Sequence, residues 1–269
     1  MLIMKKDLQR AHGNIDVKIN NNEINRFYQS GSAKVFYPKS PQQIKELVLV
    51  NTAGGLTNGD NFCYNLEVIN NSKIFVTTQT AERVYKGIKD NAEIKVVLSV
   101  DDTSDLFWIP QELILFNNCN INRKIHVDLK SNSNLVLAES TIFGRTAMGE
   151  TLEKGFFNDN WKINLNGKLI HAEALSLTDN IKDKLSSIAC TQNGVAICNI
   201  FIYGENLLSK ENTLTNALKN SETILSSHSK WNDKILIRIV SKSAAELELI
   251  KKKIISYLSE NNLPKVWNS

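Results

Sequence analysis

The stretch Ser72-Lys-Ile-Phe-Val-Thr-Thr-Gln79 returns 32 residues later as Ser104-Asp-Leu-Phe-Trp-Ile-Pro-Gln111. A further 29 residues on, Ser104, Leu106 and Trp108 are matched again by Ser133, Leu135 and Leu137. Apolar residues at every second position mark a strand with one buried face. The same alternation runs from about residue 15 to residue 203, with Ile94, Val96, Leu98 and Val100 as one example and Ile125, Val127 and Leu129 as another. Each unit reads as an alternating strand, a short Asn/Asp/Ser turn, a second strand and a less regular segment ending near an aromatic residue: Tyr85, Phe116 or Phe143. Units of about 30 residues cannot bury their apolar faces alone, so they stack on one another. The expectation is a mainly β, layered or solenoid-like body; an antiparallel sandwich of look-alike hairpins is the alternative.

Beyond Tyr203 the pattern changes. Leu214, Leu218, Ile224 and Leu225 recur at helical spacing, Ile235, Ile237 and Ile239 read as a strand, and Ser243 with Glu246 forms a capping box. Leu247, Ile250, Ile254, Tyr257 and Leu258 then mark the apolar face of a last helix, which Asn261, Asn262 and Pro264 end. This predicts a small helix-strand-helix part over about 204–269. No glycine-rich or charged linker precedes it, so it is expected to pack on the β body (about 15–203) within one domain spanning 1–269.

The chain has 269 residues, 32 Lys plus Arg and 28 Asp plus Glu, a net +4 scattered along its length. That dispersal argues against a nucleic-acid partner. Residues Met1 to Arg10 carry no signal-like apolar run, and no window reaches about 18 apolar residues, so a cytoplasmic protein without a membrane partner is expected. Cys63, Cys119, Cys190 and Cys198 fit neither a CxxC motif nor a zinc knuckle and read as free, mostly buried thiols. His12, His126, His171 and His228 are likewise too dispersed for a stable metal site; only His171 and Glu173 share a strand face.

Asn51-Thr-Ala-Gly-Gly-Leu-Thr-Asn-Gly-Asp60 is the most distinctive segment. Gly54 and Gly55 permit backbone angles closed to other residues, and Asn58-Gly59 is a dipeptide favoured in tight hairpins. The segment lacks both GxGxxG spacing and a GK[ST] ending, which argues against a phosphate loop. Asp60 reads as a turn cap, or as a carboxylate facing a partner or a passing cation. Other polar residues embedded among apolar ones are Glu82, Arg83, Glu112, Glu139, Arg145, Glu150 and Glu173. Paired acids such as Glu112 and Glu139 on a solenoid leave a carbohydrate hydrolase as an alternative, although such enzymes are usually exported. A plain oligomerising β scaffold is another.

Four blocks resemble the urease accessory protein D family (UreD, also called UreH): residues 51–60, Thr77-Thr-Gln-Thr-Ala-Glu-Arg-Val-Tyr-Lys86, Trp108-Ile-Pro-Gln-Glu-Leu-Ile-Leu-Phe116 and Phe143-Gly-Arg-Thr-Ala-Met-Gly-Glu150. The ending Leu263-Pro-Lys-Val-Trp267 is similar too. The resemblance implies a β-rich, non-catalytic scaffold that joins UreF and the GTPase UreG on the urease apoprotein and helps nickel reach the active site after lysine carbamylation. GTP hydrolysis would belong to the partner, no cofactor would be held stably, and Ni²⁺ would at most pass through. The family's acid in the glycine loop falls on Asp60, its Ala-Glu-Arg/Lys-Val-Tyr block on Glu82 and Arg83, its Pro-Gln-Glu block on Glu112, and its Phe-Gly-Arg block on Arg145 and Glu150. Asn58 departs from the family's usual glycine but tolerates the same left-handed backbone, and residues 180–230 diverge. On this reading carboxylates, Asp60 and Glu150 foremost, line or gate a polar passage whose oxygen ligands relay Ni²⁺ without trapping it.

Overall fold

A computed structural model describes residues 9–39, 42–87, 90–218 and 220–268. Its strands are β1 (His12–Asn20), β2 (Glu23–Gly31), β3 (Ala33–Phe36), β4 (Lys45–Asn51), β5 (Asn61–Ile69), β6 (Lys73–Thr78), β7 (Glu82–Val84), β8 (Ala92–Val100), β9 (Asp105–Trp108) and β10 (Leu113–Leu115). Then come β11 (Cys119–Leu129), β12 (Asn134–Phe143), β13 (Gly155–Leu165), β14 (Lys168–Thr178), helix α1 (Ile181–Ser186), β15 (Ala196–Tyr203), α2 (Glu205–Leu208), α3 (Glu211–Ala217), β16 (Ile224–Trp231), β17 (Lys234–Ser241) and α4 (Ala244–Leu258).

From β4 to β13 the chain winds between two sheets. One is ordered β14-β13-β11-β8-β5-β1-β2, the other β16-β17-β15-β12-β9-β6-β4-β3, with β7 and β10 branching from β12. The sequence repeat is the register of this stacking. Lys73 lies beside Asp105 in the parallel pair β6/β9, and Asn61 beside Glu93 in β5/β8, both 32 residues apart. The next step pairs Asp105 with Asn134 and Ala92 with Ile121, both 29 apart. Coils of a β solenoid follow, and the parallel pairing excludes the antiparallel sandwich.

The repeated serines sit at the inner corner of each turn. Ser72, Ser104 and Ser133 are buried, and Ser133 Oγ donates to Lys130 O at 2.7 Å. Asn70, Asn71 and Thr103 carry the turns at positive φ, a conformation that Asn tolerates far better than the β-branched Thr. The 32-residue coil is completed by a short third strand: Leu56, Val84, Leu115 and Phe143 form a parallel ladder. Tyr85 and Phe116 therefore align with Gly144, one position past the Phe143 named from the sequence.

The two sheets differ in burial, and their sequences differ accordingly. The first sheet is covered on one face, as the strict alternation of β5 and β8 shows. The second is covered on both, so β12 is buried along its whole length, as parallel strands between two layers are. Its inner face joins Ile74, Leu106 and Leu135 to the inter-sheet core. Its outer face packs Phe75 edge-to-face on Phe107, with centroids 5.1 Å apart, in a second core shared with α4.

The C-terminal part departs from the helix-strand-helix expectation. The helical run stops at Ala217, and Ile224–Trp231 forms β16, a hairpin with β17 that extends the second sheet through β15. Only half of the capping box forms: Ser243 Oγ accepts from Glu246 N at 3.3 Å, while the Glu246 carboxylate accepts from Thr223 Oγ1 instead. No helix among the described residues is long and apolar enough to cross a membrane.

Candidate functional site

Stacking brings the four distinctive sequence blocks to one corner of the solenoid. Leu56 N donates to Arg83 O at 2.7 Å, Tyr85 N to Leu56 O at 2.8 Å, and Phe116 N to Val84 O at 3.0 Å. Side chains above this ladder form a ridge. Tyr85 packs edge-to-face on Phe116 at 5.0 Å, and the Arg145 guanidinium covers the Phe116 ring at 4.7 Å. Gly55 has φ +140, and a Cβ there would lie 2.4 Å from the Tyr85 ring, which explains the need for glycine. Gly54, at φ +77, has open space around it, and its carbonyl accepts from Tyr85 Oη at 3.0 Å.

Asn58 and Gly59 turn a corner and do not close a hairpin: Asp60 N donates to Thr57 O at 3.1 Å, Gly59 takes φ +84, and β5 starts in the other sheet. Asp60 itself is buried, with one oxygen accepting from Ala11 N and the other from Thr57 N, each at 2.8 Å. It caps the turn and ties down the chain ahead of β1. Glu150 lies on the ridge, where it accepts from Arg145 Nε and from Asn117 N. The Arg145 hydrogen bond holds its carboxyl below the usual range. Thus both acids foremost in the sequence reading have their oxygens engaged.

Glu82 is placed differently. Its backbone N–H is fixed by Glu112 O at 2.8 Å, and its carboxylate takes the Asn51 amide at 3.2 Å to each oxygen. Burial raises its pKa to about 7, against the opposing Asn51 hydrogen bond and the Arg83 charge. Two small clefts meet at Glu82 and Tyr64. One, of about 60 Å³, lies beneath Asn51, Gly54 and Gly55. The other, of about 50 Å³, runs under Thr78, Pro110 and Gln111 to Arg123 and Glu139. Each has room for a few waters.

At the inner end lies an ion cluster between the sheets. Arg123 projects inward from β11, bonding Asp159 of β13 through Nε at 2.9 Å and Nη2 at 2.6 Å, and Glu139 of β12 through Nη1. Trp108 Nε1 donates to Glu139 at 2.7 Å and Trp161 Nε1 to Asp159 at 3.1 Å. All three charged residues are buried. Burial opposes the Arg123 charge, but Asp159 and Glu139 outweigh it and raise its pKa; burial raises that of Glu139, with Arg123 opposing. Glu139 was singled out in the sequence; Arg123 and Asp159 were not. A signal existed, because Arg123 occupies an inward position in the alternation Cys119, Ile121, Arg123, Ile125.

The remaining sequence candidates lie elsewhere. Glu112 acts on Glu248, whose ion pair with the buried Lys251 (2.7 Å) lies behind β12. Glu173, on β14, binds Arg238 at 2.7 Å and lies 3.6 Å from His171 Nε2; the imidazole, then the guanidinium, hold its carboxyl low. Arg83 is exposed, and only its carbonyl joins the ladder. The cysteines are free, and burial pushes Cys119 and Cys198 up to about 12. Among the described residues no three His, Cys, Asp or Glu side chains gather as a metal site.

The family model of the UreD urease accessory protein matches residues 9–268. The urease accessory protein UreD of Rhizobium leguminosarum bv. viciae is 35% identical over 249 residues, 91% of this chain and 89% of that protein. That of Rhodopseudomonas palustris (strain BisB5) is 33% identical over 248 residues, covering 91% and 86%. That of Chelativorans sp. (strain BNC1) is 33% identical over 266 residues, 97% and 95%. A β solenoid that brings the four blocks to one corner, matched end to end in this way, belongs to the UreD family of urease accessory proteins.

Proposed function

We propose that this protein matures urease in the cytoplasm as a scaffold for UreF, the GTPase UreG and the urease apoprotein, and that Ni²⁺ crosses its β body as cargo during GTP-dependent insertion. The accessory role follows from family membership. One observation supports the passage: two clefts join at Glu82 and Tyr64 and lead from the glycine loop to Arg123 and Glu139.

Carboxylate oxygen and water suit a cation in transit, because neither holds it as firmly as imidazole or thiolate. Glu82 stands at the junction, and burial there raises its pKa to about 7, toward the pH of the cell. Asp60 shapes the turn beside this junction and does not line the route. The ridge of Tyr85, Phe116 and Arg145, partly exposed, offers the aromatic and arginine anchors on which partners typically close. The two acids named for the hydrolase alternative have different partners: Glu139 is engaged by Arg123 and Trp108, while Glu112 acts on Glu248.

The test is complementation of a strain lacking this gene with the doubly neutral variant Glu139→Gln/Asp159→Asn, followed by measurement of nickel in the purified urease. The passage predicts nickel-poor urease although UreF still co-purifies with the variant. Urease of normal nickel content would refute it.

A further inference from the structure

Arg123 stands in a row of apolar inward residues, between Ile121 and Ile125, in register with Ile94 on one side and Asp159 on the other. A cation in such a row is costly to desolvate, and a single carboxylate would neutralise it. The structure supplies two carboxyl groups, from strands of different sheets. Even so, none of the four carboxylate oxygens is open. Asp159 Oδ1 accepts from Arg123 Nε, and Asp159 Oδ2 from Arg123 Nη2 and Trp161. Glu139 Oε2 accepts from Arg123 Nη1 and Glu139 Oε1 from Trp108. The cleft ending here is lined by Arg123 and Glu139, with Asp159 behind the guanidinium, so water or a small cation entering it meets the guanidinium together with Glu139.

We propose that Arg123 is the resident counter-cation of the passage: its guanidinium occupies the place a divalent ion would take between Glu139 and Asp159, so an arriving ion is held only while it displaces that guanidinium. The inference rests on the passage reading above and adds what keeps the passage from becoming a store. Two carboxylates on facing sheets, freed of the arginine, are hard oxygen ligands at the end of a water-sized cleft, which is a trap for a divalent cation. With the arginine present, binding must break the bidentate pair to Asp159 and the bond to Glu139, and release is driven by their return.

The experiment is Ni²⁺ titration of the purified full-length chain by calorimetry and equilibrium dialysis. Arg123→Met is expected to bind one Ni²⁺ at least tenfold more tightly than the unaltered protein and to retain it through gel filtration. Arg123→Lys keeps the charge but lacks a planar fork to span both acids, so a rise of at least threefold is expected and serves as the readout if the methionine variant does not fold. Arg123→Met/Glu139→Gln/Asp159→Asn removes every charge in the cluster and should lose the added affinity. A folded Arg123 variant with unchanged Ni²⁺ affinity, or tight binding that survives in the triple variant, overturns the proposal. The two readings fail separately. Normal nickel loading of urease by Glu139→Gln/Asp159→Asn removes the passage even where Arg123→Met traps metal, whereas poor loading with no trapping removes the counter-cation alone.

Discussion

Replacing Glu82 by Gln should change the pH dependence of stability more than its level. The carboxyl titrates at about 7 in the fold against the usual 4.5, chiefly because it is buried. A raised carboxyl pKa means that the native state holds a proton the unfolded chain releases. The stabilisation is therefore complete below pH 4.5 and is lost as the pH climbs through 7. Between pH 5 and pH 8 the linkage amounts to at most about 2.5 kcal/mol, solvent reaching the partly exposed carboxyl reducing it. Gln keeps the shape and the acceptor for Asn51 but has no charge to bury. Relative to the native protein, Glu82→Gln should therefore gain stability across this window, by about 5 °C in Tm if one kcal/mol corresponds to about 2 °C for a chain of this size. Thermal unfolding followed by circular dichroism at pH 5, 6, 7 and 8 measures it. Parallel Tm profiles for the two proteins would refute the placement of the Glu82 carboxyl.

Four further outcomes are expected. Gly55→Ala sets a Cβ 2.4 Å from the Tyr85 ring and 2.8 Å from Arg83 O at φ +140, so it should cost about 2 kcal/mol or more, whereas Gly54→Ala meets nothing within 4 Å and should cost less; urea unfolding separates the two. Asp60→Ala removes the acceptor of Ala11 N and Thr57 N, and those amides should lose hydrogen-exchange protection with a stability loss of about 2 kcal/mol. Lys251→Met leaves the half-buried Glu248 without its cation and should destabilise by about 2 kcal/mol, most of it recovered in Lys251→Met/Glu248→Leu, as a thermodynamic cycle will show. Tyr85→Ala and Arg145→Ala should each lower co-purification with UreF while leaving Tm within a few degrees of native; undiminished recovery would remove the ridge from the partner surface.

The solenoid was legible because its period is a matter of register. Offsets of 32 and 29 between Ser72, Ser104 and Ser133 reappear as strand pairings in both sheets, so a weak repeat of small and apolar residues carried the stacking. What escaped was whatever depends on a partner distant in sequence. Ile224 and Leu225 suit a helix or a strand equally, and only β17 beside them decides for β16. Glu139 was visible as an acid among apolar residues, yet its meaning depends on Arg123 and Asp159, 16 and 20 residues away on other strands. Asp60 and Glu150 stood out because they belong to conspicuous local motifs, but only one partner of each, Thr57 N and Arg145, is local, and Ala11 N and Asn117 N reach them from distant parts of the chain. Lys251 went unnamed among the apolar face of the last helix, yet its spacing from Leu247 and Ile254 places it there, and α4 buries it fully against Pro110 and Trp267.

Trp267 closes the outer face of the second sheet, donating its indole N–H to Thr77 Oγ1 at 2.9 Å across a sequence separation of 190 residues, while Lys265 N reaches Glu46. On the ribosome, at about 5–20 residues per second, Thr77 emerges about 10–40 s before its tryptophan. For most of that interval Phe75, and Phe107 once it is made, lack the α4 layer that buries them. The nascent chain thus carries a long-lived sticky flank, and its yield in the cell should respond to holdase chaperones and to translation speed more than its final stability would suggest.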